Sequence, residues 1–446
     1  MTTLPIAIIG AGPTGLAAAA HAHQRGERVV VLEAGAEAGA AVREWGHVRL
    51  FSPWSELVDA AARRALAATG WAEPDPMSYP TGGDWARHYL QPLADALAVT
   101  DDVTIRYGAR VSGVTRRGRD LVVDSGRDES PFVLRIRTST GVETMTARAV
   151  IDASGTWGTP NPLGGDGLPA LGEDEAGERI SHRVPDLRDE GVRARYAGRH
   201  VVVAGTGASA QNALVDLAAL AEQDRSTRVS WLVRRSSAQG AFGCGDNDQL
   251  AARGALGTRA KDAVGSGAVT TVTGFRTIDV RRADDETLTL TSTDGQVVTG
   301  VDEVIVVTGF RPDLGMLGEI RLDLDPVLQA PRTLAELIDP NVHSCGTVEP
   351  HGAKELAHPE QDFYLAGMKS YGRAPSFLAL TGYEQVRSIV AALAGDREAA
   401  ERVELTLPET GVCGGAGAFD DPNAVGGACC GAPAPVTLTL GAPVSR

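Results

Sequence analysis

Residues 4–16 read Leu-Pro-Ile-Ala-Ile-Ile-Gly-Ala-Gly-Pro-Thr-Gly-Leu, an apolar run that breaks into three spaced glycines. The run Leu4–Ile9 predicts a strand, and the glycines predict a tight turn that opens a helix. Gly10 permits the turn, Gly12 lets backbone N–H groups approach a pyrophosphate, and Gly15 lets the helix lie close to the strand. The motif therefore predicts a dinucleotide-binding unit.

The strand after the first helix supplies a second part of this pattern. Arg28–Leu32 is predicted to be a strand, and Glu33 follows it directly. In this fold an acid at that position binds the ribose hydroxyls of the adenosine half of the ligand. A glycine turn in an unrelated α/β protein is the alternative for the first motif taken alone, and the acid makes that alternative weaker.

The overall composition limits the class of protein. The 446 residues suffice for two cores and a short appendage, and 43% hydrophobic with 22% charged residues is typical of a globular protein. A formal net charge of -15 argues against a nucleic-acid partner. The sequence shows neither a leader pattern nor an apolar run of about eighteen residues, so we expect a cytoplasmic protein without a membrane segment.

The segment after Glu33 is rich in aromatic and polar side chains, although only 5% of all residues are aromatic. Residues 44–54 therefore predict a loop that lines a flat ligand, and the alternative is a surface loop with its own small cluster. Apolar spacing predicts helices at Ser55–Thr69 and Gly83–Ala98. After the second of these helices, a series of short apolar runs up to Thr146 predicts a β-meander. One of these runs is Leu121–Asp124.

A second strand, turn and helix of the same kind begin at residue 200. The strand His200–Ala204 is followed by the turn Gly205–Ala210, in which alanine replaces the third glycine. The next strand, Arg228–Val233, leads to Arg234 and Arg235 instead of to an acid. Guanidinium groups bind a 2′-phosphate that an acid would repel, so this unit predicts an NADPH site. Because arginine is abundant in the chain, solvated charges at these positions are the alternative.

Three buried runs end in glycine, at Gly155, Gly309 and Gly367, and a helix at Ser376–Leu393 follows the last of them. Together these repeats predict an α/β fold with two Rossmann-like dinucleotide-binding domains, the second inserted into the first. The predicted boundaries are 1–160 and 313–400 for the first domain, 161–312 for the second, and 401–446 for a flexible tail rich in cysteine and glycine.

The order and spacing of these motifs over about residues 1–395 resemble the flavoproteins with two dinucleotide-binding domains. Neither glycine turn has a nearby Cys-x-x-Cys or Cys-x-x-x-x-Cys motif, unlike the thioredoxin-reductase and glutathione-reductase branches. The chain is more similar to the flavin-containing and Baeyer–Villiger monooxygenases, although Gly177–His182 meets their Phe-x-Gly-x-x-x-His signature only in part. Segments 45–54, 152–157 and 367–375 look like the flavin-binding monooxygenase-like proteins encoded with bacterial arsenic-resistance genes.

This resemblance implies FAD in the first domain and NADPH in the second. The cofactor-binding residues that we predict are Gly10, Gly12, Pro13, Gly15, Glu33, Arg49, Ser52, Trp54, Gly155, Gly205, Gly207, Ser209, Ala210, Arg234, Arg235, Gly309, Gly367, Met368 and Tyr371. His47 and Lys369 are the candidate catalytic residues. Lys369 is one of only three lysines, which favours a specific contact of its amine, and a solvated charge is the alternative.

The resemblance also implies the chemistry. The nicotinamide hydride reduces the flavin, the reduced flavin adds O2 at C4a, and the terminal oxygen of the resulting (hydro)peroxide passes to sulfur, nitrogen or trivalent arsenic. The expected partners are thus a small-molecule substrate and O2, with trivalent arsenicals among the candidate substrates. Two alternatives stay open: an NADPH-dependent disulfide or metalloid reductase that uses thiols of the tail, and a metalloid-binding sensor or chaperone with a structural flavin.

Three of the five cysteines lie in the predicted tail, at Cys413, Cys429 and Cys430. Thiolates are the preferred ligands of soft ions, and adjacent cysteines form a disulfide with each other poorly. The three residues are therefore predicted to bind a metal or metalloid. Inert thiols in a disordered end are the alternative.

Overall fold

The computed structural model describes residues 4–243, 245–248, 250–339, 350–374 and 377–404. In chain order the strands are β1 (Ile6–Ile9), β2 (Val29–Leu32), β3 (Val103–Arg106), β4 (Arg110–Arg116), β5 (Phe132–Thr138), β6 (Gly141–Ala147), β7 (Ala149–Asp152), β8 (Ile180–Ser181), β9 (His200–Ala204), β10 (Arg228–Val233), β11 (Val269–Thr273), β12 (Thr277–Arg282), β13 (Leu288–Ser292), β14 (Val297–Val301), β15 (Glu303–Val306) and β16 (Phe363–Leu365).

The α-helices are distributed over the same ranges. They are α1 (Pro13–Gln24), α2 (Ala40–Glu44), α3 (Trp54–Leu57), α4 (Ala60–Ala67), α5 (Gly82–Trp85), α6 (Gln91–Ala98), α7 (Glu173–Ala176), α8 (Glu190–Tyr196), α9 (Ala208–Gln223), α10 (Ala251–Gly265), α11 (Arg332–Ile338), α12 (Ala379–Leu393) and α13 (Arg397–Glu401). Among the described residues, no helix combines the length and the apolar character needed to cross a membrane.

The first parallel sheet has the strand order β16-β7-β1-β2-β3. Its register sets Ile6 opposite both Val29 and Ala149, so β1 has a parallel neighbour on each side. Strands β1 and β7 are buried along their whole length, as expected of apolar runs that are covered on both faces. Phe363 of β16 pairs with Val150, so a strand from late in the chain completes the sheet.

The second parallel sheet has the order β11-β10-β9-β15-β8. Its central strand β9 is fully buried, and Val201 lies opposite both Val229 and Glu303. All strands of this sheet lie between β7 and β16 in the chain, so the second unit is inserted into the first. The predicted α/β fold with two Rossmann-like units is thereby confirmed. Two three-stranded antiparallel sheets, β4-β5-β6 and β12-β13-β14, accompany the parallel ones.

The core of the first unit lies between the first sheet and the helices α1, α4, α6 and α12. Helix α1 owes its close approach to its alanines, of which Ala17, Ala18 and Ala19 are fully buried. Small side chains allow a helix to lie close to a strand and to a second helix at once. Helix α1 thus begins at the glycine turn and is packed against α12 behind it.

Two predicted elements differ from the structure. The predicted helix Ser55–Thr69 is two helices, α3 and α4, because Asp59 caps α4 by accepting hydrogen bonds from Ala61 and Ala62 at 2.8 and 2.9 Å. The predicted strand Leu121–Asp124 is a turn, because backbone and side-chain hydrogen bonds fold that loop onto itself and onto Glu319. A local apolar pattern does not report such contacts.

Candidate functional site

The first glycine turn joins β1 to α1 at the carboxyl edge of the first sheet. Gly10 has a φ of 101°, and a Cβ placed there would lie 2.8 Å from the carbonyl oxygen of Ala153. A Cβ at Gly15 would overlap the carbonyl oxygen of Gly10. Both glycines are therefore required by the fold itself, because one has a backbone conformation that L side chains rarely adopt and the other lets α1 touch the strand.

Gly12 differs from these two glycines. Its φ is −80°, which any residue adopts, and among the described residues no atom lies within 4 Å of a Cβ placed there. Gly12 precedes the first residue of α1, and no side chain in the described part of the chain caps this helix. The N-terminus of a long helix therefore faces open space, an arrangement that binds anions such as a pyrophosphate. The residues present fit the predicted dinucleotide at this turn.

Glu33 lies beside the same turn, at the end of β2. One oxygen of its carboxylate accepts a hydrogen bond from the backbone N–H of Ala11, and the other accepts one from Gly35, each at 2.7 Å. These bonds orient the carboxylate and leave each oxygen a second lone pair for a hydroxyl group. The geometry is thus compatible with the predicted contact to a ribose.

The second glycine turn joins β9 to α9 and has the same construction. Gly205 has a φ of 129°, and a Cβ there would overlap the carbonyl oxygen of Val307. Gly207 has a φ of −84° and no atom within 4 Å of a Cβ placed there. Ala210 is fully buried, which explains why a small residue suffices in place of the third glycine, and Ser209 lies in the first turn of α9. This turn also presents a helix N-terminus to open space.

The two predicted phosphate ligands follow β10, the parallel neighbour of β9. Arg234 is exposed, and one of its N–H groups approaches the carbonyl oxygen of Gly165 at 3.4 Å. Arg235 is half-buried. The structure thus places both guanidinium groups after a strand that lies next to the second glycine turn.

Lys369 is buried rather than solvated. Its side chain is 1% exposed, and its Nζ donates to Asp152 Oδ2 at 2.6 Å and to Ser154 Oγ at 3.1 Å. Asp152 ends β7, and Lys369 lies in a 3₁₀ turn that follows β16. The alternative of a solvated charge is therefore wrong. The predicted catalytic contact needs correction as well, because an amine with almost no accessible surface has no face to offer a substrate.

Three further predicted cofactor residues lie at this edge of the sheet. Gly155 has a φ of 70° and is half-buried after β7, and Met368 is half-buried after Gly367. Tyr371 is 1% exposed, its ring packs edge-on against Phe377 at 5.0 Å between centroids, and burial raises the pKa of its phenol. Tyr371 is thus a core residue in this structure, and its side chain is not available to a cofactor.

The segment 44–54 is held by backbone bonds to a second strand-like segment. Leu50 donates to the carbonyl oxygen of Pro80 at 2.9 Å, and Trp54 donates to that of Ser78 at 3.0 Å. Arg49 is exposed, and its guanidinium donates to the carbonyl oxygen of Tyr79. The Arg49 side chain thus binds this neighbouring segment, and its contact with a cofactor remains a prediction.

The other candidates of this segment are more enclosed. Ser52 and Trp54 are buried, whereas His47 is half-buried, and its Nε2 has no hydrogen-bond partner among the described residues. The carbonyl oxygen of His47 accepts a hydrogen bond at 3.2 Å from Arg188, a residue of the second unit. His47 thus lies where the first and second units meet.

A cleft of about 500 Å³ lies beside this segment. Its lining residues are Trp54, Trp71, Ala72, Pro74, Ser78, Tyr79, Pro80, Asp84, Arg87, His88 and Pro92. Aromatic and proline residues form most of its lining, and Asp84 and Arg87 add charged groups. Neither glycine turn contributes to its lining, so this cleft is a separate feature from the two nucleotide sites.

The two chain crossings between the units run side by side. Asn161 donates its backbone N–H to the carbonyl oxygen of Gly309 at 2.9 Å and its side-chain amide to that of Thr308 at 3.0 Å. Arg311 in turn donates to Asn161 Oδ1 at 2.9 Å. Our sequence interpretation missed Asn161, although an Asn-Pro pair within a glycine-rich loop is a signal for a structured crossing.

The predicted metal ligands Cys413, Cys429 and Cys430 lie outside the described residues, as do the other two cysteines. Within the described ranges, no group of three or more His, Cys, Asp or Glu side chains could hold a metal ion. The prediction of a soft-ion site in the tail therefore remains a prediction.

The family described as pyridine nucleotide-disulphide oxidoreductase matches residues 7–331. No protein of curated function matches the chain in sequence.

Among solved structures, the bacillithiol disulfide reductase Bdr (YpdA) from Bacillus cereus is 19% identical, with a TM-score of 0.64 over 88% of this chain and 99% of that one. DfoA from Erwinia amylovora, a cadaverine monooxygenase bound to FAD, is 14% identical, with a TM-score of 0.61 over 92% and 99%. A flavin-containing monooxygenase from Stenotrophomonas maltophilia is 24% identical, with a TM-score of 0.53 over 88% and 100%. At these identities the likeness is one of fold.

Proposed function

The chain belongs to the pyridine nucleotide-disulphide oxidoreductase family, and we propose that within this family it is an NADPH-dependent FAD monooxygenase. Its substrate is a soft nucleophile, with sulfur, nitrogen or trivalent arsenic as the atom that receives oxygen. Family membership confirms the predicted enzyme class, an oxidoreductase with FAD and NADPH as cofactors. The choice of oxygen as the electron acceptor is our proposal.

The observation that carries the proposal is the pair of like-built glycine turns. In the first turn the fold requires glycine at Gly10 and Gly15, and in the second turn it requires glycine at Gly205, while Ala210 is buried. Each turn leaves one position, Gly12 or Gly207, open before a long helix. Gly10–Gly15 with Glu33 would hold FAD, and Gly205–Ala210 with Arg234 would hold NADPH. FAD, when bound, would supply the transfer of two electrons from NADPH to dioxygen, of which one oxygen atom would pass to the substrate and the other would leave as water.

The side chains around the first turn support oxygen over a disulfide as the acceptor. The first 243 residues contain no cysteine, and this range includes the first turn and the segment 44–54. The polar groups next to the turn are instead the hydroxyl groups of Thr14 and Ser154. The first turn and the segment 44–54 thus offer no thiol that could accept electrons from a flavin bound there.

One alternative is an NADPH-dependent reductase of disulfides or metalloids. The likeness in fold to the bacillithiol disulfide reductase and the tail residues Cys413, Cys429 and Cys430 favour it. A metalloid-binding sensor or chaperone with a structural flavin is the second alternative. The three functions differ in whether NADPH is oxidised, whether O2 is consumed and whether the tail is needed.

A truncated chain that ends at Glu404 separates these functions. We choose Glu404 as the end because residues shortly before it bind α12. Arg387 donates to the carbonyl oxygen of Ala399 at 2.6 Å, and Ser388 donates to that of Ala400 at 2.6 Å. A cut after Gly395 would remove both acceptors and leave these buried side chains of α12 without them. The cut at Glu404 removes Cys413, Cys429 and Cys430 and leaves every described contact in place.

We expect full-length and truncated protein to oxidise NADPH with uptake of O2. With ¹⁸O₂ and a thioether or methylarsenite as substrate, the product should carry one labelled oxygen atom. Turnover that needs a disulfide, proceeds without O2 and is lost on truncation would instead identify the reductase. Absence of NADPH oxidation from both FAD-loaded proteins would identify the sensor or chaperone.

The full-length and truncated proteins, together with a variant of the adjacent tail cysteines, test the role of the tail in arsenic chemistry. We propose that Cys413, Cys429 and Cys430 collect trivalent arsenicals, because thiolates bind soft ions and a tether raises the local concentration of a captured ligand. Methylarsenite should bind the truncated chain and the Cys429→Ser/Cys430→Ser variant more weakly by about tenfold or more, with the rate of FAD reduction by NADPH unchanged. Equal binding by all three proteins would show that the tail thiols have no part in it.

Arg234→Ala should weaken the preference for NADPH over NADH. A guanidinium that pairs with the 2′-phosphate contributes a charge-assisted interaction of about 1.5 to 3 kcal/mol. The KM for NADPH should therefore rise about tenfold or more, while the KM for NADH changes little. Steady-state kinetics with both nucleotides measures this, and equal losses for NADPH and NADH would contradict the assignment.

A further inference from the structure

The buried pair of Lys369 and Asp152 lies directly behind the first glycine turn. Asp152 is the partner of Ile9 in the register of the first sheet, and the next residue, Ala153, donates to the carbonyl oxygen of Ile9 at 3.0 Å. The carbonyl oxygen of Ala153 is the atom that a Cβ at Gly10 would meet. The carboxylate is therefore attached to the chain segment against which the turn is packed.

The ammonium group belongs to a segment that also contacts the first helix turn. Lys369 follows Gly367, where a Cβ would lie 2.8 Å from the hydroxyl of Thr14, a residue in the first turn of α1. Its Nζ reaches Asp152 at 2.6 Å. Two strands, β7 and β16, thus bring a cation and an anion together at the edge where the helix N-terminus faces open space.

A third group completes the arrangement. The hydroxyl of Ser154 donates to Asp152 Oδ1 at 2.6 Å and accepts from Lys369 at 3.1 Å. The backbone N–H of Ser154 also donates to Asp152 Oδ1, at 3.1 Å. Both oxygens of the carboxylate are thereby bound, and the side chains of Lys369 and Asp152 are 1% and 0% exposed.

Such a pair acts on a bound cofactor through its charge, because it has no surface with which to touch one. In a medium of low dielectric constant, a single buried charge changes the energy of a nearby charge far more than it does in water. FAD brings a negatively charged diphosphate to the turn, and its reduction adds further negative charge. An unpaired carboxylate behind the turn would oppose both, and an unpaired ammonium would favour both.

We propose that Lys369 and Asp152 are positioning residues whose mutual neutralisation sets the affinity for FAD and the reduction potential of the bound flavin. Lys369 balances the carboxylate that β7 places behind the diphosphate site. The inference rests on the FAD site alone, and it is independent of whether O2, a disulfide or a metalloid receives the electrons.

The test uses the full-length protein with Lys369→Met, Asp152→Asn and the double variant. Lys369→Met should weaken FAD binding by about tenfold or more and lower the flavin midpoint potential, because Asp152 is left unpaired. Asp152→Asn should raise the potential and bind FAD at least as tightly as the native protein. The double variant should return both quantities close to native values. Lys354→Met, at an exposed lysine, is the matched control and should change neither quantity.

The opposite signs of the two single variants distinguish this role from a structural one. Damage to packing would weaken FAD binding in both variants and would shift the potential without regard to charge. Shifts of the same sign, or native affinity and potential in Lys369→Met, would therefore overturn the proposal. If a single variant does not fold, the double variant decides, and its failure to bind FAD while folded would overturn the proposal too. None of these measurements depends on turnover, so they separate this inference from the proposed monooxygenase activity.

Discussion

Gly12→Val should yield a folded protein that lacks FAD. The backbone at Gly12 has a φ of −80°, and no atom of the described residues lies within 4 Å of a Cβ placed there, so we expect the fold to tolerate the substitution. The same side chain would fill the space in front of the α1 N-terminus, where the diphosphate would bind. We expect FAD affinity to fall about a hundredfold or more, which corresponds to about 3 kcal/mol. Absorbance of the purified protein near the flavin bands and FAD titration measure this.

Two matched glycine variants make the prediction specific. Gly15→Val should fail to fold, because its side chain would overlap the carbonyl oxygen of Gly10. Gly207→Val should fold and retain FAD but lose reduction by NADPH, because Gly207 is the open position of the second turn. Stoichiometric FAD in folded Gly12→Val would show that the first turn does not bind the diphosphate. Loss of FAD from Gly207→Val would show that the two turns were assigned in the wrong order.

Glu360→Ala should destabilise the protein more than any surface substitution. The carboxylate of Glu360 is 0% exposed and binds Arg116 Nε at 2.8 Å and Arg127 Nη2 at 2.6 Å, and both arginine side chains are only 2% exposed. It also accepts the backbone N–H of Arg321 at 3.1 Å. Removing it leaves two buried cations without their anion, which costs about 3 to 5 kcal/mol in the free energy of unfolding.

The control is an ion pair at the surface. Arg63 and Glu73 form a close pair with side chains 43% and 36% exposed, so Glu73→Ala should cost less than about 1 kcal/mol. Urea unfolding followed by circular dichroism compares the two variants on the FAD-loaded protein. Similar midpoints for Glu360→Ala and Glu73→Ala would contradict the importance of the buried cluster.

The Glu360 cluster also predicts a loss of stability in acid. Burial by itself raises the pKa of Glu360, but the hydrogen bonds from Arg127 and Arg116 outweigh burial and lower the pKa below its usual value. A carboxyl whose pKa is lowered on folding stabilises the protein above its unfolded pKa. This contribution is lost as the pH falls through the folded pKa, so the difference between native protein and Glu360→Ala should shrink in that range.

Local sequence was sufficient to predict those features that one short continuous segment forms. The strand, glycine turn and helix start at residues 4–16 and 200–211 are each continuous in the chain, and the conformations of Gly10 and Gly205 are required by the turn itself. The inserted order of the two units could also be predicted, because strands that end in glycine recur before and after the second turn.

Prediction failed where the deciding contact comes from elsewhere in the chain or depends on a single cap. The helix expected at Ser55–Thr69 is divided because Asp59 caps α4, and Leu121–Asp124 is a turn although its residues resemble a strand.

The sequence by itself determined the α/β fold and its two glycine turns, because glycine spacing and apolar runs act over a few neighbouring residues, and its resemblance to known flavoproteins indicated the class of enzyme. Only the tertiary structure decided the environment of Lys369. Its rarity in the chain marked it as special, but its ion pair with Asp152 joins residues 217 positions apart. The register of β7 and β16 buries both charges together, and burial converts a candidate for direct contact into a group that acts through its charge.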